Sequence, residues 1–285
     1  MIPSKFKYQK AGSVADAIRL LSETDGEAKL LAGGHSLLPS MKLRLSEPDA
    51  LIDISKLEEL KSIRKDGNTL VIGAGCTHHA IATSSLVEGH MSMISQAGHM
   101  IGDPHVRNVG TIGGSLAHAD PAADWPALML AANAVIVVRG PGGERQINAG
   151  DFFKSLFFTA LNDNEIITEI RIAAPPHGAH SAYAKFHSPA SRYAIVGCAA
   201  FLQLDGLNCL SARIAFTGAS STPFRDTGVE NALVGKAINE ESIHEAAQLA
   251  AEGVQMMTDH FASEKYRRNL ARVYAKKAIR AAAGL

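Results

Sequence analysis

Two glycine pairs, each followed by short polar side chains, are the residues whose types and spacing first suggest chemistry. One pair lies in LLAGGHSLLPSMK (30–42) and the other in VGTIGGSLAHADPAADWPAL (109–128). Glycine lets backbone N–H groups approach an anion without interference from a Cβ atom, and phosphate oxygens accept several such donors. Because a diphosphate contains two phosphate groups, two such loops could hold it from opposite sides. Either loop alone could equally be a tight structural turn.

Two acidic residues after the second glycine pair suggest a different contact. Asp120 and Asp124 follow Gly114 within ten positions. A carboxylate is a poor neighbour for a phosphate, but it accepts hydrogen bonds from ribityl or ribose hydroxyls. Alternatively, Asp124 could be the N-cap of a helix predicted from Trp125 onwards.

The elements that must position these loops are predicted from hydrophobic periodicity and turn residues. A helix is expected over 13–23 with Ser13 as its N-cap, and a hairpin over 134–149. Further helical spacing covers 78–87, 123–133, 238–257 and 266–282. Strands are expected in the segments 28–34, 49–55, 69–75, 165–172, 181–186, 193–205 and 210–218. The pattern predicts an α+β protein whose sheets are covered by helices.

Composition sets limits on function. The 285 residues contain 28 basic and 28 acidic side chains, which argues against nucleic acid as a partner. The apolar stretch 127–138 is too short to cross a bilayer, and the start of the chain lacks the apolar core of a signal peptide. We therefore expect a cytoplasmic protein without a transmembrane segment. The linker-like segment 174–181 predicts a boundary, and we divide the chain into 1–55, 56–175 and 176–285.

Several familiar sites do not match the sequence. Gly73 and Gly75 begin a dinucleotide fingerprint, but His78 stands where its third glycine belongs. The three cysteines form no C-x-x-C pair, so we expect no zinc ribbon and no iron–sulfur ligand set. The histidines lack H-x-H and H-E-x-x-H spacing, and we expect no metal site.

The two loops together resemble the paired signature of the flavin-binding subunits of molybdenum hydroxylases. The likeness is carried by AGGHSLLPSMKLRL and IGDPHVRNVGTIGGSLAHADPAADWPAL, and it continues through YAKFHSPASRYAIVGCAA to the C-terminal region. Within that family, the motifs are most similar to those of the aerobic carbon monoxide dehydrogenase branch. The resemblance implies an FAD fold of the vanillyl-alcohol oxidase type, with two N-terminal α+β lobes and a C-terminal lobe of sheet and helices.

The resemblance also implies which residues contact FAD. In the family, the two loops hold the diphosphate, and an acid at Asp124 contacts the hydroxylated chain. Apolar residues at Ile101 and Ile167 lie near the ring system, a lysine at Lys185 lies near its polar edge, and an aromatic residue at Tyr193 covers one face. The full set of predicted cofactor-binding residues is Ala32, Gly33, Gly34, His35, Ser36, Leu37, Ile101, Gly110, Thr111, Ile112, Gly113, Gly114, Ser115, Asp120, Asp124, Ile167, Lys185 and Tyr193.

Two positions depart from the family pattern. Ser115 stands where asparagine is common, and its hydroxyl still donates and accepts. Pro189, between Lys185 and Tyr193, replaces a residue that is charged in many relatives, and this bears on access to the flavin.

By resemblance, the chain is expected to relay electrons from the [2Fe–2S] clusters of a small partner subunit, through FAD, to an external acceptor. A large molybdopterin subunit would complete a dimer of heterotrimers. A self-sufficient flavin oxidase and a non-catalytic nucleotide-binding protein are the alternatives. The oxidised substrate (carbon monoxide, an aldehyde, a purine or another N-heterocycle) and the electron acceptor stay open at this point.

Overall fold

The N-terminal part of the chain is a parallel three-stranded sheet with two helices. The structure is a computed structural model that describes residues 2–285. The elements in this part are β1 (Lys7–Lys10), α1 (Val14–Glu23), β2 (Ala28–Leu31), α2 (Leu37–Lys42) and β3 (Ala50–Asp53). The strand order is β1-β3-β2, and β3 pairs in parallel with both neighbours. The hydroxyl of Ser13 accepts a hydrogen bond from the N–H of Asp16 at 3.0 Å, which confirms the predicted N-cap of α1.

A five-stranded antiparallel sheet follows a short 3₁₀ turn at Glu58–Leu60. Its strands are β4 (Ile63–Asp66), β5 (Thr69–Gly73), β6 (Val135–Gly140), β7 (Gly143–Asn148) and, later in the chain, β10 (Ile166–Ile172). The order is β4-β5-β10-β6-β7, so β10 lies in the middle. The predicted hairpin is confirmed, because β6 and β7 pair from Val135 opposite Asn148 to Gly140 opposite Gly143.

Six helices occupy the connection between β5 and β6, and they contain most of the second glycine loop. They are α3 (His78–Ala82), α4 (Ser85–His90), α5 (Ser92–Met100), α6 (Pro104–Val109), α7 (Ile112–His118) and α8 (Trp125–Ala131). The helical spacing predicted over 78–87 therefore corresponds to two helices, and the break falls at Thr83 and Ser84, where Ser84 caps α4. Between β7 and β10 the chain forms α9 (Ala149–Phe152) and a small hairpin of β8 (Phe153–Ser155) and β9 (Phe158–Thr159).

The C-terminal part is an antiparallel four-stranded sheet with three helices. Its elements are β11 (Ala179–His187), β12 (Ala194–Asp205), β13 (Asn208–Thr217), β14 (Phe224–Arg225), α10 (Thr227–Leu233), α11 (Glu240–Gln248) and α12 (Glu264–Ala283). Neighbouring strands pair in chain order. The helical stripe expected over 238–257 is wrong beyond Gln248. Ala251 and Gly253 adopt positive φ, and the carboxylate of Asp226 accepts the N–H of Ala251 at 2.7 Å, which stabilises a turn there.

Strand β12 is buried on both faces, which explains its nearly continuous apolar sequence. Ala199 and Phe201 belong to a core shared with the five-stranded sheet and α8, whereas Cys198 and Ala200 belong to a second core under α10, α11 and α12. Successive side chains of a strand point to opposite faces. A polar residue in the middle of β12 would therefore face one core or the other.

A buried arginine ties α12 to the ends of the C-terminal sheet. Arg267 is only 2% exposed, and its Nη1 donates to the carbonyl oxygens of Ile195 and Gly218, both at 2.6 Å. Its Nη2 donates to the carboxylate of Asp259 at 2.5 Å. Because buried carbonyls without a donor are costly, this side chain is a structural requirement of the C-terminal part.

We expect Arg267→Met to lower the free energy of unfolding by about 3 kcal/mol, because it leaves two buried carbonyls without a donor. Urea unfolding followed by circular dichroism measures this change. The matched control is Arg280→Met on the same helix, where the exposed guanidinium pairs with Glu240, and we expect a loss of about 1 kcal/mol or less. Equal losses in the two variants would contradict the structural role of Arg267.

Candidate functional site

A large cleft brings the two glycine loops together. Its volume is about 1410 Å³, and its walls come from the N-terminal sheet, helices α3, α6 and α7, the β8–β9 hairpin and the loop before β12. Every predicted cofactor-binding residue lines it except Ile112 and Lys185. The loops, some eighty residues apart in sequence, therefore form a single site, which also contains the expected apolar and acidic residues.

The first loop connects β2 to α2 and presents free backbone donors. Gly34 has φ +69°, a conformation that favours glycine. Among the described residues 2–285, the N–H groups of Gly33, Gly34, His35 and Ser36 have no hydrogen-bond acceptor. Their side of the loop lines the cleft. Four consecutive unpartnered N–H groups in a loop that lines the cleft are available as donors to an anion.

Gly33 also allows the two loops to touch. A Cβ atom on Gly33 would lie 2.3 Å from the carbonyl oxygen of Val109 and 2.8 Å from the Cα of Gly110. No side chain fits between the loops at that point. The glycine at position 33 is therefore required by protein packing, in addition to any effect on a ligand.

The second loop differs from the sequence-based expectation. The N–H of Ile112 donates to the carbonyl of Cys76 at 3.1 Å, and that of Gly113 donates to the carbonyl of Ala74 at 2.8 Å. A Cβ on Gly113 would lie 2.6 Å from the Cβ of Ala74. The expected convergence of free N–H groups on an anion is wrong for these two residues, because the segment after β5 already provides their acceptors.

Gly114 is the glycine of the second loop that opens to the cleft. Its N–H donates to the Thr111 hydroxyl at 3.2 Å, which makes Thr111 the side-chain cap of α7. A Cβ atom on Gly114 would lie 2.9 Å from the Thr111 Oγ1. Apart from the backbone of α7, no other atom of the described residues would lie within 4 Å of that Cβ. Gly114 therefore leaves room on the cleft side, as the sequence indicated. Ile112 is fully buried in the core instead.

Asp124 belongs to a buried polar cluster at the inner end of the cleft. Its Oδ1 accepts the Tyr183 hydroxyl at 2.5 Å, and its Oδ2 accepts the Lys185 ammonium at 2.9 Å. Burial raises the pKa of the Asp124 carboxyl, and the charge of Lys185 and the hydroxyl of Tyr183 oppose that rise. Asp124 occupies the N-cap position of α8, but its side chain makes no capping hydrogen bond. The capping alternative is therefore wrong for the side chain.

Lys185 lies behind the cleft wall. Its side chain is 1% exposed, and its ammonium also donates to the carbonyl of Met100 at 3.0 Å, next to Ile101. Tyr183, which was not predicted from the sequence, is buried two residues before Lys185 on the same strand. Burial, followed by the charge of Asp124, raises the pKa of Tyr183 well above its ordinary value, so the phenol stays protonated and donates to Asp124. Alternation along β11 could have indicated that residues 183 and 185 share a face.

Asp120 and Tyr193 lie close to the first loop. The Asp120 Oδ1 accepts the N–H of Ala122 at 2.8 Å, and Asp120 lines the cleft. Partial burial raises the pKa of Tyr193, the charge of Asp120 adds to the rise, and the Ser36 hydroxyl opposes it. Tyr193, Asp120 and Ser36 are therefore neighbours across the cleft, although they come from three different parts of the chain.

Two aliphatic residues supply the apolar part of the cleft. Ile167 is 5% exposed on β10, and Ile101 is half-buried against the same core at the end of α5. The pairing of β10 with β6 is irregular between Ile167 and Glu169, immediately after the residue that reaches the cleft. An apolar wall opposite hydrogen-bonding loops is the arrangement that ligand pockets usually show.

The described residues include no group of three or more His, Cys, Asp or Glu side chains placed to hold a metal ion. Cys76, Cys198 and Cys209 are buried free thiols. Over the same residues, no helix is long and apolar enough to cross a membrane.

Comparison with known proteins identifies the class to which this fold and cleft belong. The family model described as the FAD binding domain in molybdopterin dehydrogenase matches residues 4–175, and that of the CO dehydrogenase flavoprotein C-terminal domain matches residues 181–282. The chain belongs to the family of FAD-binding subunits of molybdopterin dehydrogenases. The predicted α+β FAD-binding fold and the predicted cofactor, FAD, are confirmed.

Individual relatives match over nearly their whole length. The chain is 39% identical to the carbon monoxide dehydrogenase medium chain of Hydrogenophaga pseudoflava, with 99% of this chain and 98% of the relative covered. It is 35% identical to the glyceraldehyde dehydrogenase medium chain of Sulfolobus acidocaldarius, with coverage of 98% and 99%. Among solved structures, quinoline 2-oxidoreductase from Pseudomonas putida 86 superimposes with a TM-score of 0.94 at 33% identity, covering 100% and 99%. The predicted resemblance to the carbon monoxide dehydrogenase branch is confirmed.

The buried pair of Asp124 and Lys185 predicts strongly non-additive stability. We expect Asp124→Asn and Lys185→Met each to lower the free energy of unfolding by about 3 kcal/mol, because each leaves a buried group without its partner. The loss of unfolding free energy in the double variant should be smaller, by at least about 1 kcal/mol, than the sum of the two single losses. Urea unfolding monitored by the fluorescence of Trp125, the single tryptophan, measures the cycle. As a control, Lys276→Met removes an exposed pair with Glu240 and should cost about 1 kcal/mol or less. Additive losses at 124 and 185 would contradict the pairing.

Proposed function

We propose that this chain holds FAD in the cleft and relays electrons from the [2Fe–2S] clusters of a small partner subunit to an external acceptor. A large molybdopterin subunit would complete the complex, as a dimer of heterotrimers. The observation that carries the proposal is the row of four unpartnered N–H groups at 33–36, facing a second loop whose Gly114 leaves open space.

The fit of FAD to the cleft rests on three features of the structure. The free donors of the first loop suit the diphosphate, and the open side of Gly114 lets that group approach. The volume of about 1410 Å³ exceeds the roughly 300–1,000 Å³ of ordinary small-ligand pockets, as an extended dinucleotide requires. The apolar wall of Ile101 and Ile167 suits a planar ring system.

Different residues of the cleft would contact different parts of the cofactor. The first loop, 32–37, would donate to the diphosphate, Gly114 of the second loop would leave space for it, and Asp120 would accept hydrogen bonds from hydroxyls. Tyr193, which lies near Ser36 of the first loop, would cover one face of the ring. Asp124 lines the cleft, and Lys185 holds its carboxylate in place from behind. Bound FAD supplies the exchange between single-electron and two-electron transfer that no amino-acid side chain here provides.

The state of the cysteines supports placing the iron–sulfur clusters in another chain. Burial raises the pKa of the Cys76 thiol to about 11 and that of Cys198 well above its ordinary value, and it also raises that of Cys209. The thiolate is the form that ligates iron, and burial disfavours it at all three positions. Each thiol also lies in a separate part of the sheets, on or beside β5, β12 and β13.

The names of the relatives support assembly with other subunits. They include the alpha subunit of a 6-hydroxypseudooxynicotine dehydrogenase complex and a nicotine 6-hydroxylase medium subunit, at 36% and 34% identity. The relatives are named for different substrates, among them carbon monoxide, glyceraldehyde and nicotine. We infer that the flavin subunit is common to these reactions and that the substrate is selected in another subunit.

The open space beside Gly114 predicts that a larger side chain at this position will prevent FAD binding without preventing folding. We expect Gly114→Val to abolish FAD retention, because a branched side chain fills the space left for the diphosphate. The bound flavin per chain is read from the absorbance spectrum of the purified protein, and folding from circular dichroism. The control is Gly89→Val, also in a short helix, where a Cβ meets no atom of the described residues within 4 Å. A full complement of FAD in Gly114→Val would contradict the assignment of the second loop.

The relay proposal predicts a difference between the isolated chain and the assembled complex. The flavin of the isolated chain should be reduced by dithionite or light, and no hydroxylase substrate should reduce it. In the complex with its small and large partners, substrate should reduce the flavin and an acceptor should reoxidise it. Stopped-flow absorbance distinguishes the two preparations. Rapid reduction of the isolated chain by an organic donor would overturn the relay and favour a self-sufficient flavin oxidase.

A further inference from the structure

A buried histidine lies in the cleft wall beside the second loop, outside both glycine motifs. His78 begins α3 and is 5% exposed. Its Nδ1 accepts a hydrogen bond from the indole Nε1–H of Trp125 at 3.0 Å, and the centroids of the two rings are 5.8 Å apart. Trp125 begins α8, directly after Asp124, and is fully buried.

The partner of His78 determines which ring nitrogen carries the proton. An indole N–H can only donate, so Nδ1 of His78 must be unprotonated. Burial, followed by the charges of His35 and Arg107, lowers the pKa of His78 to about 4. The ring is therefore neutral near pH 7, and its single proton is on Nε2.

The Nε2 side of the ring faces the second loop and the cleft. A Cβ on Gly110 would lie 2.7 Å from Nε2, so that edge of the ring lies against the Gly110 backbone. The backbone N–H of His78 donates to the carbonyl of Gly110 at 3.0 Å and holds the loop in register. Among residues 2–285, no acceptor bonds to Nε2, and His78 lines the cleft. This N–H is therefore available as a donor to a ligand in the cleft.

The neighbours of His78 show what kind of ligand this is. His35 of the first loop and Arg107 of α6 are the charged or titratable groups that face the ring. The Nδ1 of His35 lies 2.9 Å from the carbonyl of Gly33, and because a carbonyl only accepts, this nitrogen carries a proton that is used inside the loop. The two groups that face the ring are thus both basic, and the charge of Arg107 favours an anionic acceptor.

We propose that the Nε2–H of His78 donates a hydrogen bond to a diphosphate oxygen of bound FAD, and that Trp125 fixes the tautomer that makes this possible. This inference rests on the proposed function, because it takes FAD as the ligand of the cleft. His78 would supply at the second loop a donor that Ile112 and Gly113 do not supply, since their N–H groups are bonded within the protein.

The test compares His78→Phe, which keeps an aromatic ring without a donor, with His78→Gln, whose amide can donate near the Nε2 position. Hydrogen bonds to charged groups predict that FAD binds roughly tenfold to a hundredfold more weakly to His78→Phe, and that His78→Gln recovers affinity to within about fivefold of wild type. The control is His79→Phe, which alters the exposed neighbour on the same helix and should leave affinity unchanged. Fluorescence titration of the full chain gives the dissociation constants.

Two further measurements separate a phosphate contact from a structural effect. Riboflavin, which has no phosphate, should bind to His78→Phe and to wild type with equal affinity. In the wild-type chain, the ¹⁵N–¹H signal of His78 Nε2 should be observable at pH 7 and should shift on addition of FAD. This measurement needs no variant, so it decides the question even if His78→Phe folds poorly.

The outcomes distinguish this inference from the function on which it rests. An unchanged FAD affinity in His78→Phe overturns the inference alone, provided that Gly114→Val still loses FAD. An Nε2–H signal that FAD does not shift, or an equal loss of riboflavin affinity, overturns it as well. Failure of the wild-type chain to bind FAD under any of these conditions overturns the proposed function together with the inference.

Discussion

The buried ion pair between Asp124 and Lys185 is the interaction on which the arrangement of the cleft depends. Asp124 lies near the end of the second loop, Lys185 belongs to the C-terminal sheet, and the same ammonium donates to the carbonyl of Met100 at the end of α5. Removing two charges from water costs several kcal/mol per ion unless the partners meet with good geometry. The three parts of the chain around the cleft must therefore meet at this point, and Ile101 and the second loop are positioned with them.

The glycines of the two loops serve two different physical requirements. Gly33 and Gly113 allow backbone segments to approach one another, since a Cβ at either position would collide with protein atoms at 2.3 Å and 2.6 Å. Gly34 provides a positive φ, and Gly114 leaves space on the side of the cleft. A motif that looks like a repeated anion-binding loop is thus partly a packing device, and the first loop supplies most of the free donors.

The hydrophobic core crosses the boundary that we predicted at 175/176. Tyr183 and Phe201 of the C-terminal sheet belong to the same core as Trp125 of α8 and Ile170 of the second sheet. A second core under α12 is confined to the C-terminal part. The division into 1–55, 56–175 and 176–285 stays a prediction, and the shared core gives a reason for the cleft to keep one shape across that boundary.

The sequence by itself determined most of the local elements and, through its two motifs, the family and its cofactor. Local features could be predicted because the residues that form them are close in sequence. They include the Ser13 cap of α1, the β6–β7 hairpin and the open position of Gly114. The two long motifs resemble those of one family, and this resemblance indicated FAD. The end of α11 was missed, because the turn at Ala251 depends on the distant carboxylate of Asp226.

Only the tertiary structure determined which polar groups have hydrogen-bond partners and which residues provide those partners. The partners of Asp124 lie 59 and 61 residues away along the chain, and His78 and Trp125, which bond to each other, are 47 residues apart. The carbonyls that accept the N–H groups of Ile112 and Gly113 belong to the segment after β5. Such contacts follow from how helices and sheets pack, and no spacing along the chain encodes them. Hydrogen-bond satisfaction in a buried site is a property of the folded arrangement, because each donor needs an acceptor that only packing brings within reach.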